Sequence, residues 1–231
     1  MEKYTTRKVD SIQQTSEVAV DSPNAEYNTT ASTALSLGML AMKFAEVDRV
    51  PRYNDERREN DAEHSYMLAL VANELAQTLY PASLNAGLVT QFCIVHDLIE
   101  IETGDVATFA ISDEDLAIKA TSEHDALERM LDRLPPHTRT LLYEYEKQEI
   151  IEARFVKAVD KLLPVIVDIL GPGRRVMIED YNVHTIDELA ISHAALRKRM
   201  ADRFSEFPQV VDDHAVLSEL FELEFGLTQQ Y

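Results

Sequence analysis

Two histidines and three carboxylates, in three separate stretches of the chain, combine the side chains that bind divalent metals and transfer protons. His64 lies near the start of one predicted helix, His96, Asp97 and Glu100 lie near the end of the next, and Asp160 lies in a later apolar helix. Nitrogen and carboxylate ligands without thiolate suit Mn, Co, Fe, Ni or Zn. The pattern predicts one divalent metal held by His64, His96, Asp97 and Asp160, and it does not choose among these ions.

The apolar surroundings of the two aspartates support a shared cation. Asp97 is adjacent to a helical stripe that includes Phe92 and Ile99, and Asp160 interrupts the run 155–163. An ionised carboxylate beside a buried stripe costs several kcal/mol unless a charge or a metal compensates it. A core histidine with one satisfied nitrogen is the alternative for His64 alone, but one cation accounts for all four residues together.

Composition restricts the class of protein. The 231 residues are 45% hydrophobic and 27% charged, with only 6 glycines and no tryptophan. This composition is ordinary for a globular domain and favours helices over many short strands. The net charge of −19 argues against nucleic acid or an anionic membrane as a partner, because both would repel the protein. Any phosphate substrate therefore needs locally concentrated positive charge.

Cysteine usage and the N-terminus indicate the compartment. The single cysteine, Cys93, excludes an internal disulfide and lies in an apolar run, where a buried inert thiol is expected. The sequence has no run of about 18 apolar residues and no secretory signal at its start. We therefore expect a cytoplasmic protein.

Hydrophobic periodicity predicts an all-α domain of about eight helices. The segment that follows Pro51 in the first helix–helix connection is highly charged, and Asp61 is the expected N-cap of the second helix. Pro164 predicts a bend just after Asp160, because proline cannot donate the helical hydrogen bond. The predicted helices span about 30–50, 61–80, 84–102, 112–134, 137–145, 149–170, 185 onward, and 212 or 213 to 226.

The predicted domain organisation is simple. Residues 1–28 are polar and lack an apolar period, which is typical of a flexible arm. Residues 29–231 form the domain, with the motif core over 35–170 and C-terminal helices over 185–226.

The spacing of the motifs resembles the 5'-deoxynucleotidase branch of the HD-domain metal-dependent phosphohydrolases. The resemblance covers about residues 35–170 and is carried by the whole spaced set, since a lone His-Asp pair is not specific. The motifs in order are Arg49-Val50-Pro51, Arg57, Glu59-Asn60, Glu63-His64, His96-Asp97-Leu98-Ile99-Glu100 and Thr103-Gly104-Asp105.

The resemblance implies a role for each matching residue. His64, His96, Asp97 and Asp160 match the metal ligands, and Arg49 matches the arginine that binds the substrate phosphate. Glu100 matches the glutamate that positions or protonates groups at the reaction centre, and Asp105 matches an aspartate that contacts the sugar. The position of Glu100 agrees, because it lies four residues after His96 and three after Asp97 and so projects over the same site.

The sequence also predicts a role or a location for residues outside this set. Val50 stands where the family commonly has a tryptophan that shapes the sugar pocket, so weaker rejection of ribose is expected here. Lys157 is a second candidate for binding phosphate, and Arg174 and Arg175 are expected in a solvated loop. The histidines outside the metal set are expected on the surface: His124, His137, His184, His193 and His214.

These patterns predict a metal-dependent hydrolase of nucleotide phosphate esters, acting as a 5'-nucleotidase on deoxynucleoside monophosphates. A water activated by the metal would attack phosphorus. One alternative, removal of triphosphate from a dNTP, needs more cations than Arg49 alone. A metal-stabilised nucleotide-binding scaffold without catalysis is another, but it has no need of Glu100 or Asp105. A homodimer is expected from the resemblance.

Overall fold

The structure, a computed structural model, describes residues 30–54, 57–106, 109 and 113–227. Helices dominate these residues, and the all-α prediction is confirmed. The predicted N-terminal arm lies outside them, so the domain division stays a prediction. The elements in the described part of the chain are α1 (Thr30–Phe44), β1 (Asp48–Arg52), β2 (Arg58–Asn60), α2 (Asp61–Leu79), α3 (Ala86–Val95), α4 (Glu100–Thr103), α5 (Asp113–Leu131), α6 (Pro136–Lys147), α7 (Ile151–Asp160), α8 (Leu163–Leu170), α9 (Gly173–Glu179), α10 (Ile186–Arg203) and α11 (Pro208–Leu227).

The charged segment after α1 forms a small antiparallel hairpin that the sequence did not predict. Strand β1 pairs with β2, with Asp48 opposite Asn60 and Arg52 opposite Arg58. Burial alternates along β1, which places Arg49 on the inner side of the hairpin. The first helix accordingly ends at Phe44, well before Pro51. The hairpin therefore directs the charged side chain of Arg49 toward the interior.

Helix α2 begins with a capping box. The Asn60 side chain accepts a hydrogen bond of 3.0 Å from the Glu63 backbone N–H, and the Glu63 side chain accepts one of 3.3 Å from the Asn60 N–H. The prediction of Asp61 as N-cap was wrong by one residue, because Asp61 is fully buried and bound by Arg49. This cap fixes the start of the helix that carries His64 in its first turn.

Two predicted long helices are each broken at a motif. The turn between α3 and α4 has 3₁₀-type hydrogen bonds, in which an N–H donates to the carbonyl three residues earlier; one example is the Glu100 N–H to the Asp97 carbonyl at 2.9 Å. Gly104, at φ 72°, ends α4. The other break separates α7 from α8 directly after Asp160, with Pro164 in the first turn of α8. Both breaks place their metal-ligand candidates at helix ends.

The region after Gly171 contains a helix, α9, where the sequence predicted only a stop. Gly171 and Gly173 permit this helix to lie close to its neighbours. A Cβ on Gly171 would come within 2.4 Å of the Arg52 carbonyl oxygen, and one on Gly173 within 2.5 Å of the Asp168 Cβ. Ion pairs at 2.6–2.9 Å join Arg52 and Arg58 to the end of α9 at Asp180. The region is thereby fixed against the hairpin.

The last two helices begin in different ways. Thr185 and Glu188 form a capping box at the start of α10, the helix that the sequence predicted from residue 185 onward. Helix α11 begins at Pro208, which suits the first helical position, and the prediction of a cap at Asp212 or Asp213 was therefore wrong.

The core has two parts. The larger cluster joins α2, α3, α6 and α7 around Phe92, Phe155 and Leu163, and the smaller one joins α8, α9 and α11 around Val176, Phe221 and Phe225. None of the helices in the described residues is long and apolar enough to cross a membrane. The candidate metal ligands lie at the edge of the larger cluster.

Candidate metal centre

Three elements bring the four predicted metal ligands together. His64 comes from the first turn of α2, His96 and Asp97 from the turn after α3, and Asp160 from the end of α7. One ligand atom from each residue lies within 4.8 Å of all the others. His64 Nε2 is 2.9 Å from Asp160 Oδ1, and His96 Nε2 is 2.9 Å from Asp97 Oδ2. Residues up to 96 positions apart in sequence thus form one compact group.

The contacts of the histidines fit metal ligation. His96 Nδ1 lies 2.9 Å from the Cys93 carbonyl oxygen and donates to it, which leaves Nε2 as the ligand atom. His96 Nε2 is buried, and its 2.9 Å approach to Asp97 Oδ2 lacks the geometry of a hydrogen bond, so this nitrogen has no hydrogen-bond partner among the described residues. His64 Nδ1 lies 3.5 Å from Glu59 Oε2, a carboxylate behind the imidazole. Two oriented imidazoles and two carboxylates therefore make a suitable donor set for a divalent cation.

Arg49 lies among five carboxylates. Its guanidinium Nη1 is 2.9 Å from both Asp61 Oδ1 and Asp97 Oδ2. The side chain is 10% exposed, and this density of negative charge raises the pKa of Arg49 even though burial opposes the shift. The other three carboxylates are Glu100 at 3.6 Å, Asp105 at 3.9 Å and, from Nε, Glu59 at 3.5 Å.

Loss of the Arg49 charge should strongly destabilise the fold. Arg49→Met should lower the free energy of unfolding by about 3–5 kcal/mol, the usual scale when one member of a buried ion network is removed. Urea denaturation measures this change. Arg133→Met is the matched control, since Arg133 pairs with Glu102 but is 67% exposed, and it should cost no more than about 1 kcal/mol. Equal stabilities of the two variants would contradict the inferred network.

The neighbours of Arg49 titrate abnormally. Burial, reinforced by the negative charges of Asp97 and Asp105, raises the pKa of Glu100 to about 11. Burial also raises the pKa of Asp61 to about 6. For Asp97, the effect of burial is outweighed by His96 and Arg49, which lower its pKa. Carboxylates outnumber cations here, so a divalent cation suits the charge balance.

A cavity of about 470 Å³ opens beside these residues. Arg49, Asp97, Glu100, Asp105 and Lys157 all line it. Val50 is not among the described residues that line it; it is half-buried and packs against the smaller core cluster. Phe109 and Tyr181, which line the cavity, belong to the same cluster, so the expectation that Val50 influences the sugar pocket stays a prediction.

For several residues of the site, no role in it was predicted from the sequence. Glu59 and Asp61 are fully buried against the hairpin and Arg49, and strand alternation would have revealed Glu59 had the hairpin been recognised. Asp168 on α8 is 6% exposed and lines the cavity. His193 and His214 are 4% and 0% exposed, so the prediction that they lie on the surface was wrong.

Arg174 and Arg175, which follow Gly171, are not among the described residues that line the cavity. The Arg174 guanidinium lies 5.4 Å from the centre of the Phe225 ring, and Arg175 binds Glu179 at 2.6 Å. Both belong to α9 and not to a solvated loop.

Comparisons with known proteins agree with this arrangement. A family model described as HD domain matches residues 42–201. Human 5'-deoxynucleotidase HDDC2 is 31% identical over 138 residues, which cover 55% of this chain and 64% of the human protein. A 5'-deoxynucleotidase of Erwinia tasmaniensis is 26% identical over 171 residues, or 69% of this chain and 80% of that protein.

A solved structure gives the same result for the fold. The crystal structure of a predicted metal-dependent phosphohydrolase from Magnetospirillum magnetotacticum MS-1 superposes with a TM-score of 0.64 at 26% identity, covering 85% of this chain and 94% of that one. Since the family model spans more than half of the chain and the fold agrees over most of it, the chain belongs to the HD domain family.

Proposed function

We propose that the protein is a divalent-metal-dependent 5'-nucleotidase that hydrolyses deoxynucleoside monophosphates. The observation that carries the proposal is the convergence of His64, His96, Asp97 and Asp160 within 4.8 Å; the last three of these and Arg49 line the cavity. The 5'-deoxynucleotidase names of its relatives, and membership of the HD domain family, support it.

The four converging residues are the proposed ligands. When bound, a divalent cation supplies Lewis-acid chemistry, polarising a phosphoryl oxygen and lowering the pKa of a coordinated water. The protein orients the imidazoles for this task through the Cys93 carbonyl behind His96 and the Glu59 carboxylate behind His64. Mn, Co, Fe, Ni and Zn all suit the donor set.

Arg49 is the proposed phosphate-binding residue. Its guanidinium is held by Asp61 on one side and by Asp97 on the cavity side. Both N–H bonds of Nη1 are taken by these two carboxylates, so Nη2 is the amino group that would donate to a phosphate oxygen. Lys157 lies on the cavity wall and is a further source of positive charge.

Glu100 and Asp105 are the proposed proton-transfer and sugar-contacting groups. The Glu100 carboxyl lies 3.6 Å from Arg49 Nη1, close to Asp97, and lines the cavity beside the proposed ligands. A buried carboxyl in this position can orient water or protonate the leaving oxygen. Asp105 lies at the cavity wall, where it can accept a hydrogen bond from a sugar hydroxyl.

Removal of triphosphate from dNTPs is a second candidate, because the cavity is more basic than Arg49 alone would make it. Lys157 and Lys161 from α7 and its end, and Arg199 and Arg203 from α10, all line it. Glu123 and Glu146 line the same cavity and offset part of this charge. Lys161 also forms an ion pair with Asp160 at 2.7 Å. The cations that are left supply part of the additional positive charge that a longer phosphate chain requires.

A product analysis separates these functions. The purified protein, loaded in turn with Mn, Co, Mg and no metal, is incubated with a deoxynucleoside mono-, di- and triphosphate. The proposal expects metal-dependent release of inorganic phosphate from the monophosphate. Release of intact triphosphate from the dNTP would favour the second candidate, and nucleotide binding with no release from any substrate would favour the scaffold. The cytoplasmic location and the homodimer stay predictions.

A further inference from the structure

The cavity has two chemically different ends. The segment from α7 to α8 and helix α10 both contribute residues to its lining. Burial lowers the pKa of Lys157, the positive charges of Lys161 and Arg203 add to this shift, and Glu146 opposes it. These three cations therefore lie close together and form one end of the cavity. Asp168 also lines the cavity but is not among the charges that act on Lys157.

The second end is aromatic. The rings of Phe109 and Tyr181 meet edge-to-face with centroids 5.0 Å apart, and Phe109 meets the ring of His193 at 5.8 Å. All three residues line the cavity. His193 is fixed in place, because its Nδ1 lies 2.8 Å from Glu222 Oε1. This wall presents π-faces and edges of the kind on which a nucleobase packs.

Asp168 is a buried carboxyl in the same end of the cavity. It is 6% exposed, and its Oδ1 has no hydrogen-bond partner among the residues that the structure describes. Gly173 packs directly on α8 at this residue, because a Cβ on Gly173 would come within 2.3 Å of the Asp168 carbonyl oxygen and 2.5 Å of the Asp168 Cβ. An unpartnered buried carboxyl costs free energy unless a ligand satisfies it.

The protonation of Asp168 suits hydrogen bonding to a neutral ligand. Burial, reinforced by the negative charge of Glu59, raises the pKa of Asp168 to about 8. A neutral carboxyl can donate one hydrogen bond and accept another. It would also not repel a nearby phosphate group.

We propose that Asp168, Phe109 and Tyr181 form a subsite for the base of the substrate nucleotide, with the base packed on the aromatic wall and a polar group of the base bound to Asp168. The inference rests on the proposed function and deepens it, because it names the residues that recognise the base. The basic end of the cavity, together with Arg49, takes the phosphate, so the two ends orient the substrate.

The test compares a nucleotide with the same phosphate ester lacking its base. Values of kcat/KM are measured for dAMP and for 2-deoxyribose 5-phosphate with the metal-loaded wild type, Asp168→Ala and Phe109→Ala. We expect each variant to lose about 10-fold on dAMP, the scale of one lost stacking or hydrogen-bonding contact. Hydrolysis of 2-deoxyribose 5-phosphate should be unchanged. Tyr66→Ala, which removes an aromatic ring that is 69% exposed on α2, is the matched control and should leave both substrates unaffected.

Equal losses on both substrates would overturn the subsite and indicate a structural effect of the substitutions. Binding of deoxyadenosine, which has no phosphate, is measured in parallel by titration calorimetry. If the wild type hydrolyses neither ester, the proposed function fails, but the subsite still requires deoxyadenosine binding that weakens about 10-fold in Asp168→Ala and Phe109→Ala. Absence of binding to the wild type, or equal binding by all proteins, would contradict it.

Discussion

Asp97→Ala should remove metal binding and hydrolysis together. Asp97 supplies a proposed ligand oxygen, and the same carboxylate accepts from Arg49 at 2.9 Å, so its loss affects both the cation and the phosphate-binding arginine. Metal catalysis contributes several kcal/mol of transition-state stabilisation, so turnover should fall at least about 1,000-fold. Elemental analysis of the purified variant should find less metal per chain than in the wild type.

The matched control is Asp132→Ala, which alters an exposed aspartate in the turn after α5. It should retain full metal content and activity. The metal-loaded form of the wild type should also be more resistant to heat than the metal-free form, because a ligand that binds only the folded state stabilises it. Asp97→Ala should lose this difference. Full metal occupancy in that variant would refute the ligand assignment.

Glu100→Gln should separate metal binding from chemistry. Glutamine keeps the size of the side chain but cannot transfer a proton as a carboxyl does, so kcat should drop roughly 100-fold or more. Metal content should be unchanged, because Glu100 is not one of the four converging ligand candidates. KM should change little, since the group acts on the leaving oxygen and not on the bound phosphate.

Glu149→Gln serves as its control, because the Glu149 side chain is 74% exposed and is not among the described residues that line the cavity. A Glu100→Gln enzyme with normal kcat would take Glu100 out of the reaction. Loss of metal from this variant would instead place Glu100 among the ligands. The structure allows this outcome, because carboxylate oxygens of Asp61, Asp97 and Glu100 lie within 4.8 Å of one another.

The sequence predicted the metal candidates well because their types and spacing are local features. His96 and Asp97 are adjacent, and Asp160 stood out as a charge inside an apolar run. The helix that carries each of them was also predicted, together with the bend after Asp160 that Pro164 causes. Hydrophobic periodicity did not reveal the turn between α3 and α4, because its 3₁₀-type hydrogen bonds leave the spacing of the apolar residues almost unchanged.

The supporting carboxylates were missed because their burial depends on tertiary pairing. Glu59 and Asp61 lie in or next to a highly charged segment, and the sequence did not predict the hairpin that brings both carboxylates to Arg49. His193 and His214 were misplaced for a similar reason. Their neighbours in sequence are mostly polar, but α10 and α11 pack so that both imidazoles face inward. A buried polar side chain whose partner is distant in the chain leaves little trace in local sequence.

Metal reconstitution tests the central claim most directly. The protein is stripped of metal with a chelator, and Mn or Co is added back in steps while phosphate release from dAMP and bound metal per chain are both measured. The proposed site predicts no hydrolysis in the stripped protein and a linear recovery that saturates when about one ion is bound per chain, as expected for four ligands around one cation. Undiminished hydrolysis by the stripped protein, or full metal loading without any phosphate release, would contradict the account.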